Sequence, residues 1–190
     1  PINIAAHIYL SLQSVVAREV AAQDPCVLTI GKFSGGQAPN IIPEKVVMEG
    51  TIRYKERETG TRVFERIRQI SNLCARSFGG NAVVTEIASA PPLINNEDML
   101  YAFSDAVKQF DGVKPFVILP QGGMGSEDFA SFSYEVPSAY LLLGAGSPQE
   151  NEAYGKPMHN PAVVFNEDIL SLGSAVYAAC AIHWLKNPKF

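Results

Sequence analysis

Nothing along the sequence pairs its cysteines. Cys26, Cys74 and Cys180 lie far apart in mostly apolar surroundings with no CxxC spacing, and they read as buried thiols of a reducing compartment. A secretory leader is equally unsupported, because the first residues carry no basic stretch ahead of an apolar one; a cytoplasmic location is the expectation. Long hydrophobic runs are missing too. The most apolar stretches, Ala139–Ala145 and Ile169–Leu185, are too short, or too broken by Ser, Gly and His, for the roughly 20 residues that a bilayer demands, so no membrane is expected. Charge of one sign is scarce: a net charge of −4 and a pI near 5.4 give no broad basic field, which argues against nucleic acid as a partner. No internal repeat or low-complexity segment is present. What remains is 190 residues with 47% hydrophobic and 18% charged positions, enough for one large core or two small ones, which excludes intrinsic disorder.

Ile4, Ile8, Leu12, Val15, Val16 and Val20 recur at the 3.6-residue period of an amphipathic helix, which predicts a helix over 2–23, opened by Pro1 and stopped by Asp24-Pro25. Strands are predicted over 26–33 and 45–54; the second alternates Val47, Glu49, Thr51 and Arg53 against Val46, Met48, Gly50 and Ile52. A second helix spans 59–78, with Val63, Phe64, Ile67, Ile70, Leu73 and Cys74 as its stripe and Gly79-Gly80 as its C-cap. A short strand at 82–88 precedes Ala90-Pro91-Pro92, the clearest boundary in the chain. Beyond it, Asn96 caps a helix to about Phe110, Pro115–Leu119 and Tyr140–Leu143 read as apolar strands, Ser126–Phe132 as a helical turn, and Ile169–Lys186 as a closing helix. The fold class is α/β. Residues 1–92 read as a ferredoxin-like α+β unit lacking its first strand, and 93–190 as an αβ(α)βα portion of a larger sheet. Such a chain looks like the back part of a longer protein.

Few residues can carry chemistry. Of three histidines, His7 and His183 sit on helices beside apolar residues, where packing explains them. His159 lies in the Pro- and Gly-rich loop Gly155-Lys156-Pro157-Met158-His159-Asn160-Pro161, after an apolar strand and before a helix, where α/β sheets place their sites; an imidazole there can bind a metal or simply sit in solvent. Gly122-Gly123-Met124-Gly125 lets backbone N–H groups approach a ligand, yet it is neither a Walker loop nor a dinucleotide fingerprint. Glu127 and Asp128 behind it suit a helix start through the helix dipole alone. Asn40 is an ordinary turn former and Arg53 an ordinary solvated charge, but an Arg fork for a carboxylate and an Asn amide for a carbonyl would together suit a ligand with an amide and a free acid.

Several ordered motifs then point one way. Leu12-Gln13 with Val16-Ala17-Arg18-Glu19, Gly35-Gly36 with Asn40-Ile41-Ile42-Pro43, Gly50-Thr51-Ile52-Arg53, Ser126-Glu127-Asp128-Phe129, and Met158-His159-Asn160-Pro161 with Phe165 and Glu167 resemble, nearly end to end, the metal-dependent amidohydrolases and peptidases that include hippurate hydrolase, aminoacylases and indole-acetyl-amino-acid hydrolases.

That resemblance implies a lid or dimerisation domain over 1–92, which would make a homodimer, and the C-terminal part of a zinc-peptidase-like catalytic domain over 93–190. It implies a pair of divalent ions (Zn, Mn, Co or Ni), one bound by His159. The other ligands and the general base would lie outside this segment, which therefore supplies no catalytic residue of its own. Asn40, Arg53, Gly122 and Gly123 are the implied substrate-binding residues, and the substrate a small N-acyl amino acid or peptide. The segment alone is expected to be inactive. A non-enzymatic remnant that only dimerises or binds a partner is the alternative.

Overall fold

The computed structural model describes residues 1–110, 113, 117–119 and 122–187. They fall into two units, Pro1–Leu93 together with Gly122–Ser131, and the rest of the chain from Ile94. The main elements are α1 (Ile2–Glu19), β1 (Cys26–Ser34), β2 (Val47–Tyr54), α2 (Arg57–Ser77), α3 (Glu97–Val107) and α4 (Ile169–Lys186), with short 3-10 turns at Asp128–Tyr134 and Glu152–Gly155.

The first unit is a helix pair laid on one face of a hairpin. Ile8, Leu12 and Val15 of α1 meet Val63, Ile67 and Ala75 of α2, and Cys26, Leu28, Ile30, Met48 and Ile52 pack in from the two strands. Burying each large aliphatic side chain contributes about 1.5–3 kcal/mol, and the 3.6-residue period that was visible in both helices is what aligns them. α1 ends four residues short of the expected 23: Val20 is already extended, and Asp24, which precedes Pro25, is disfavoured in a helix. α2 starts two residues earlier than expected. Its C-terminus closes as anticipated. Gly79 takes φ +71, and Gly79 N–H and Gly80 N–H donate to Arg76 O (3.0 Å) and Ala75 O (2.9 Å), the paired bonds of a Schellman cap.

β1 and β2 pair antiparallel, from Cys26 opposite Tyr54 to Ser34 opposite Val47. The register slips between Ile30 and Lys32, leaving Gly31 as an extra residue. Side chains alternate faces along a strand, so one inserted residue swaps the faces beyond it. Paired in regular register, Gly31 would take the rung opposite Glu49 and Lys32 would point at the helices; bulged out, it leaves Lys32 facing Glu49 across the ladder, N to O 2.5 Å, and Phe33 meets the ring of Tyr9 on α1 at 6.4 Å.

The strand expected at 82–88 is not formed. Ala82 and Val84 do pack on the core while Val83 and Ile87 are exposed, a strand-like alternation without a ladder. Among the described residues the sheet consists of β1 and β2 alone, so 82–88 has no strand to bond.

In the second unit Asn96 caps α3 as expected, its side-chain oxygen accepting from Met99 N–H at 3.0 Å, and α3 packs on α4. The apolar strand expected at 140–143 is also absent. The reason is local: Tyr140 N–H donates to Asn95 Oδ1 (2.6 Å) and Tyr140 O accepts from Asn95 Nδ2 (3.1 Å), so a side-chain amide occupies the groups a neighbouring strand would need. The strand expected at 115–119 falls partly outside the described residues, and 117–119 join no ladder. α4 occupies the expected span. The sequence reads it as too broken for a membrane, yet its 18 residues have mean hydropathy 1.3 and are long and apolar enough to cross one by length and composition; here it packs on α3 and leaves most of its apolar side chains exposed. The thiols are less uniform than expected: Cys180 is buried, Cys26 and Cys74 only partly. Burial pushes the Cys180 and Cys26 thiols above the ordinary value, in Cys26 against the opposing pull of Arg62.

Leu12→Ala removes a side chain that is 2% exposed and is expected to cost about 2–5 kcal/mol in a denaturant melt. A second expectation concerns acid. Arg66 bonds the Glu19 carboxylate through Nε (2.5 Å) and Nη2 (2.9 Å) and holds that carboxyl below its usual value, chiefly through the hydrogen bond. A lowered folded value stabilises above the unfolded one, near 4.3, and that gain is lost as pH falls through the folded value. Glu19→Gln should therefore melt lower than the parent at neutral pH and converge with it in acid; a gap that persists below both values would contradict the assignment.

Candidate functional site

The candidate residues lie in different parts of the chain. Arg53 stands in β2 opposite Val27. It shares parity with Glu49 and Thr51, on the face of the hairpin turned away from the helices, and is half-buried. No ion pair or hydrogen bond to it is formed among the described residues. The guanidinium thus stands ready beside Thr29, Thr51 and Val27 on a mixed polar and apolar surface.

Asn40 is exposed in the connection between β1 and β2, in a turn in which Ile41 N–H donates to Ala38 O at 3.3 Å. This connection leaves the ladder at Ser34 and Val47, whereas Arg53 is six positions further along β2, about 20 Å at the strand rise. No hydrogen bond joins the two residues, and the hairpin does not bring them together.

Gly122 and Gly123 belong to the first unit. Neither has a positive φ. A Cβ at 122 would meet nothing within 4 Å, and one at 123 only Gly125 N at 3.9 Å. Neither conformation nor packing requires glycine at these positions; what glycine provides is bare backbone. Behind them Glu127 Oε1 accepts from Phe129 N–H at 3.2 Å, the local capping role that its position suggested.

His159 belongs to the second unit and is exposed on a turn closed by Asn160 N–H to Pro157 O, 2.9 Å. Asn160 Oδ1 then accepts from Ala162 N–H at 2.9 Å and Asn160 O from Val163 N–H at 3.0 Å. These bonds tie down the backbone on the C-terminal side of the histidine and leave its imidazole clear of them. The role of Asn160 was legible in principle, since Asn followed by Pro favours such turns. Of the other two histidines, His7 stacks on Phe78 at 4.6 Å, and the half-buried His183 lines a depression of about 280 Å³ shared with Asp98, Tyr101 and Asp105 of α3. A depression of about 450 Å³ between 94–97 and 133–138 contains no candidate residue.

The chain matches Peptidase family M20/M25/M40 over residues 10–183. It belongs to this family. It is 35% identical over 192 residues to IAA-amino acid hydrolase ILR1-like 2 of Arabidopsis thaliana, covering 98% of this chain and 42% of that protein. To hippurate hydrolase of Campylobacter jejuni it is 31% identical over 186 residues, covering 98% and 47%. In structure it resembles the Bacillus subtilis YxeP protein, described as a dinuclear metal binding peptidase from the M20 family, with TM-score 0.73 and 26% identity over 98% of this chain and 46% of that one. The M20 chain thus spans less than half the length of these relatives.

Among the described residues no group of three His, Cys, Asp or Glu side chains converges as a metal cage. An imidazole on an exposed turn suits one coordination position, and a dinuclear site needs several more. The donor set of the M20 segment by itself does not fit a metal pair.

Proposed function

We propose that this chain is part of a metal-dependent amidohydrolase that cleaves the amide of N-acyl amino acids or small peptides. The observation that carries the reading is the family match over 10–183, supported by relatives named for hydrolysis of hippurate and of IAA-amino acids. When bound, a pair of divalent ions, Zn, Mn, Co or Ni, would supply a water acidic enough to attack a carbonyl at neutral pH; His159 offers one donor to it. The chain's own residues bind and orient. Arg53 takes the free carboxylate in a bidentate grip, on a sheet face where no acidic partner competes for it. The backbone N–H groups at Gly122 and Gly123 donate to the substrate's carbonyl oxygen, where negative charge develops in the transition state.

Asn40 requires a different geometry. A small N-acyl amino acid is far shorter than the stretch of β2 between the loop end and Arg53. On this reading Asn40 serves the substrate from a second copy, in a homodimer formed through the 1–92 lid domain, and 93–190 is the C-terminal part of the catalytic domain. The lid reading draws on the helix pair over one face of the hairpin and on the strand-like burial of 82–88. The alternative of a purely dimerising remnant is disfavoured by the bare glycines at 122 and 123, which no fold requirement explains.

Calorimetric titration of the 190-residue chain with zinc should reveal no site of about micromolar affinity or better, and the chain should not hydrolyse N-acyl amino acids, because one imidazole is not a ligand set. Tight binding with turnover would show that residues read as structural complete the site. In a protein completed to the family's full length, hydrolysis should require a divalent metal. There Arg53→Ala should lower kcat/KM by roughly 2–5 kcal/mol for an N-acyl amino acid and barely touch the analogue whose acid is amidated. Equal losses on both substrates would remove Arg53 from the site.

A further inference from the structure

Resting on the reading of His159 as a metal donor, we propose that Tyr154, seated on Gly146, is the positioning residue that fixes the turn carrying His159. The segment between them is anchored twice, and both anchors fall on adjacent residues. Downstream of His159, Asn166 N–H donates to Ala145 O at 2.9 Å. Upstream, the Tyr154 ring lies against the bare Cα of Gly146, so closely that a Cβ there would stand 2.5 Å from Cδ2 and 2.7 Å from Cγ. Gly146 also takes φ +122, a conformation that side chains resist. Two independent reasons therefore demand glycine at 146, and the ring accounts for one of them.

The arm that carries Tyr154 is itself stiff. Ser147 O accepts from Glu150 N–H (2.9 Å) and Asn151 N–H (3.1 Å), and Asn151 O from Tyr154 N–H (2.9 Å). Asn151 Oδ1 caps the 3-10 turn at Ala153 N–H, 3.0 Å. Pro148 lies against Gly155, where a Cβ would be 3.0 Å from Cγ. Residues 145–156 thus form a compact base from which 157–165 leaves and to which it returns, with His159 near its start. A metal donor on an exposed loop is useful only if its backbone holds one place, because a ligand free to wander contributes little to a site of fixed geometry. The ring supplies that restraint from five residues away without touching the imidazole's role.

Amide hydrogen exchange on the 190-residue chain tests this without metal or substrate, so its outcome is independent of whether His159 binds a metal. The reporters are Asn160, Ala162 and Val163 N–H, with the amides of α4 as internal reference. Tyr154→Ala and Gly146→Ala are each expected to speed the reporters at least about 10-fold while α4 stays within about twofold. The double variant should be no faster than the worse single one, since the two residues act as one contact. Tyr154→Phe should restore the parent rates, because the ring face and not the hydroxyl makes the contact. Unchanged reporters, additive effects, a Phe variant that behaves like Ala, or acceleration spread equally through α4 would each overturn the proposal; the last would make Tyr154 a core residue of the whole unit.

Discussion

A two-stranded hairpin does not hold itself together in water, and the first unit of this chain depends on how its single pair of strands is covered. α1 and α2 supply that cover. They bury the face made by Cys26, Leu28, Ile30, Met48 and Ile52, and in doing so they commit the other face, with Thr29, Thr51 and Arg53, to solvent or to a ligand. The side of the sheet on which Arg53 appears is therefore decided by the apolar residues one position away from it. The Arg66–Glu19 pair and the Schellman cap trim the helix packing; the burial of the hairpin face creates it.

The second unit is organised by polar groups. Asn95 and Asn96 sit next to each other and do opposite work: one side chain occupies the backbone of Tyr140, the other caps α3. The segment 144–166 is likewise held by backbone bonds and two close glycine contacts more than by an apolar core. Such a unit leaves much apolar surface open, including Leu170, Tyr177 and Leu185 on α4. That surface accords with a chain spanning less than half of its relatives' length.

The sequence was most legible where the determining contacts are short-ranged in the chain. Four helices follow from apolar periods and caps, while their ends shifted by a few residues: α1 stops at Glu19 because Val20 is extended, α2 begins two residues early, and α3 stops at Val107, short of Phe110. The parity of Arg53 was also readable, because alternation is local. Ladders were not. Ala82 and Val84 pack as a strand would, but whether they bond depends on a neighbour that no local pattern announces, and the apolar run at 140–143 gave no sign that an asparagine forty-five residues earlier would take its first backbone pair. The chemistry divides in the same way: motif spacing singled out His159, Asn40 and Arg53 individually, whereas the length of β2 between the last two is a property of the folded ladder.

The slip at Gly31 separates the count of residues from the order of faces. Its φ is not positive, and a Cβ placed on it would meet nothing within 4 Å, so almost any small residue could stand there. By dropping out of the ladder it lets Lys32 follow Ile30 as the next paired residue, opposite Glu49, with Phe33 opposite Met48; paired in regular register it would turn Lys32 toward the helices and Phe33 away from them. A chain one residue shorter at this point would present the same faces, so the hairpin can change length here without exchanging a charge for a ring.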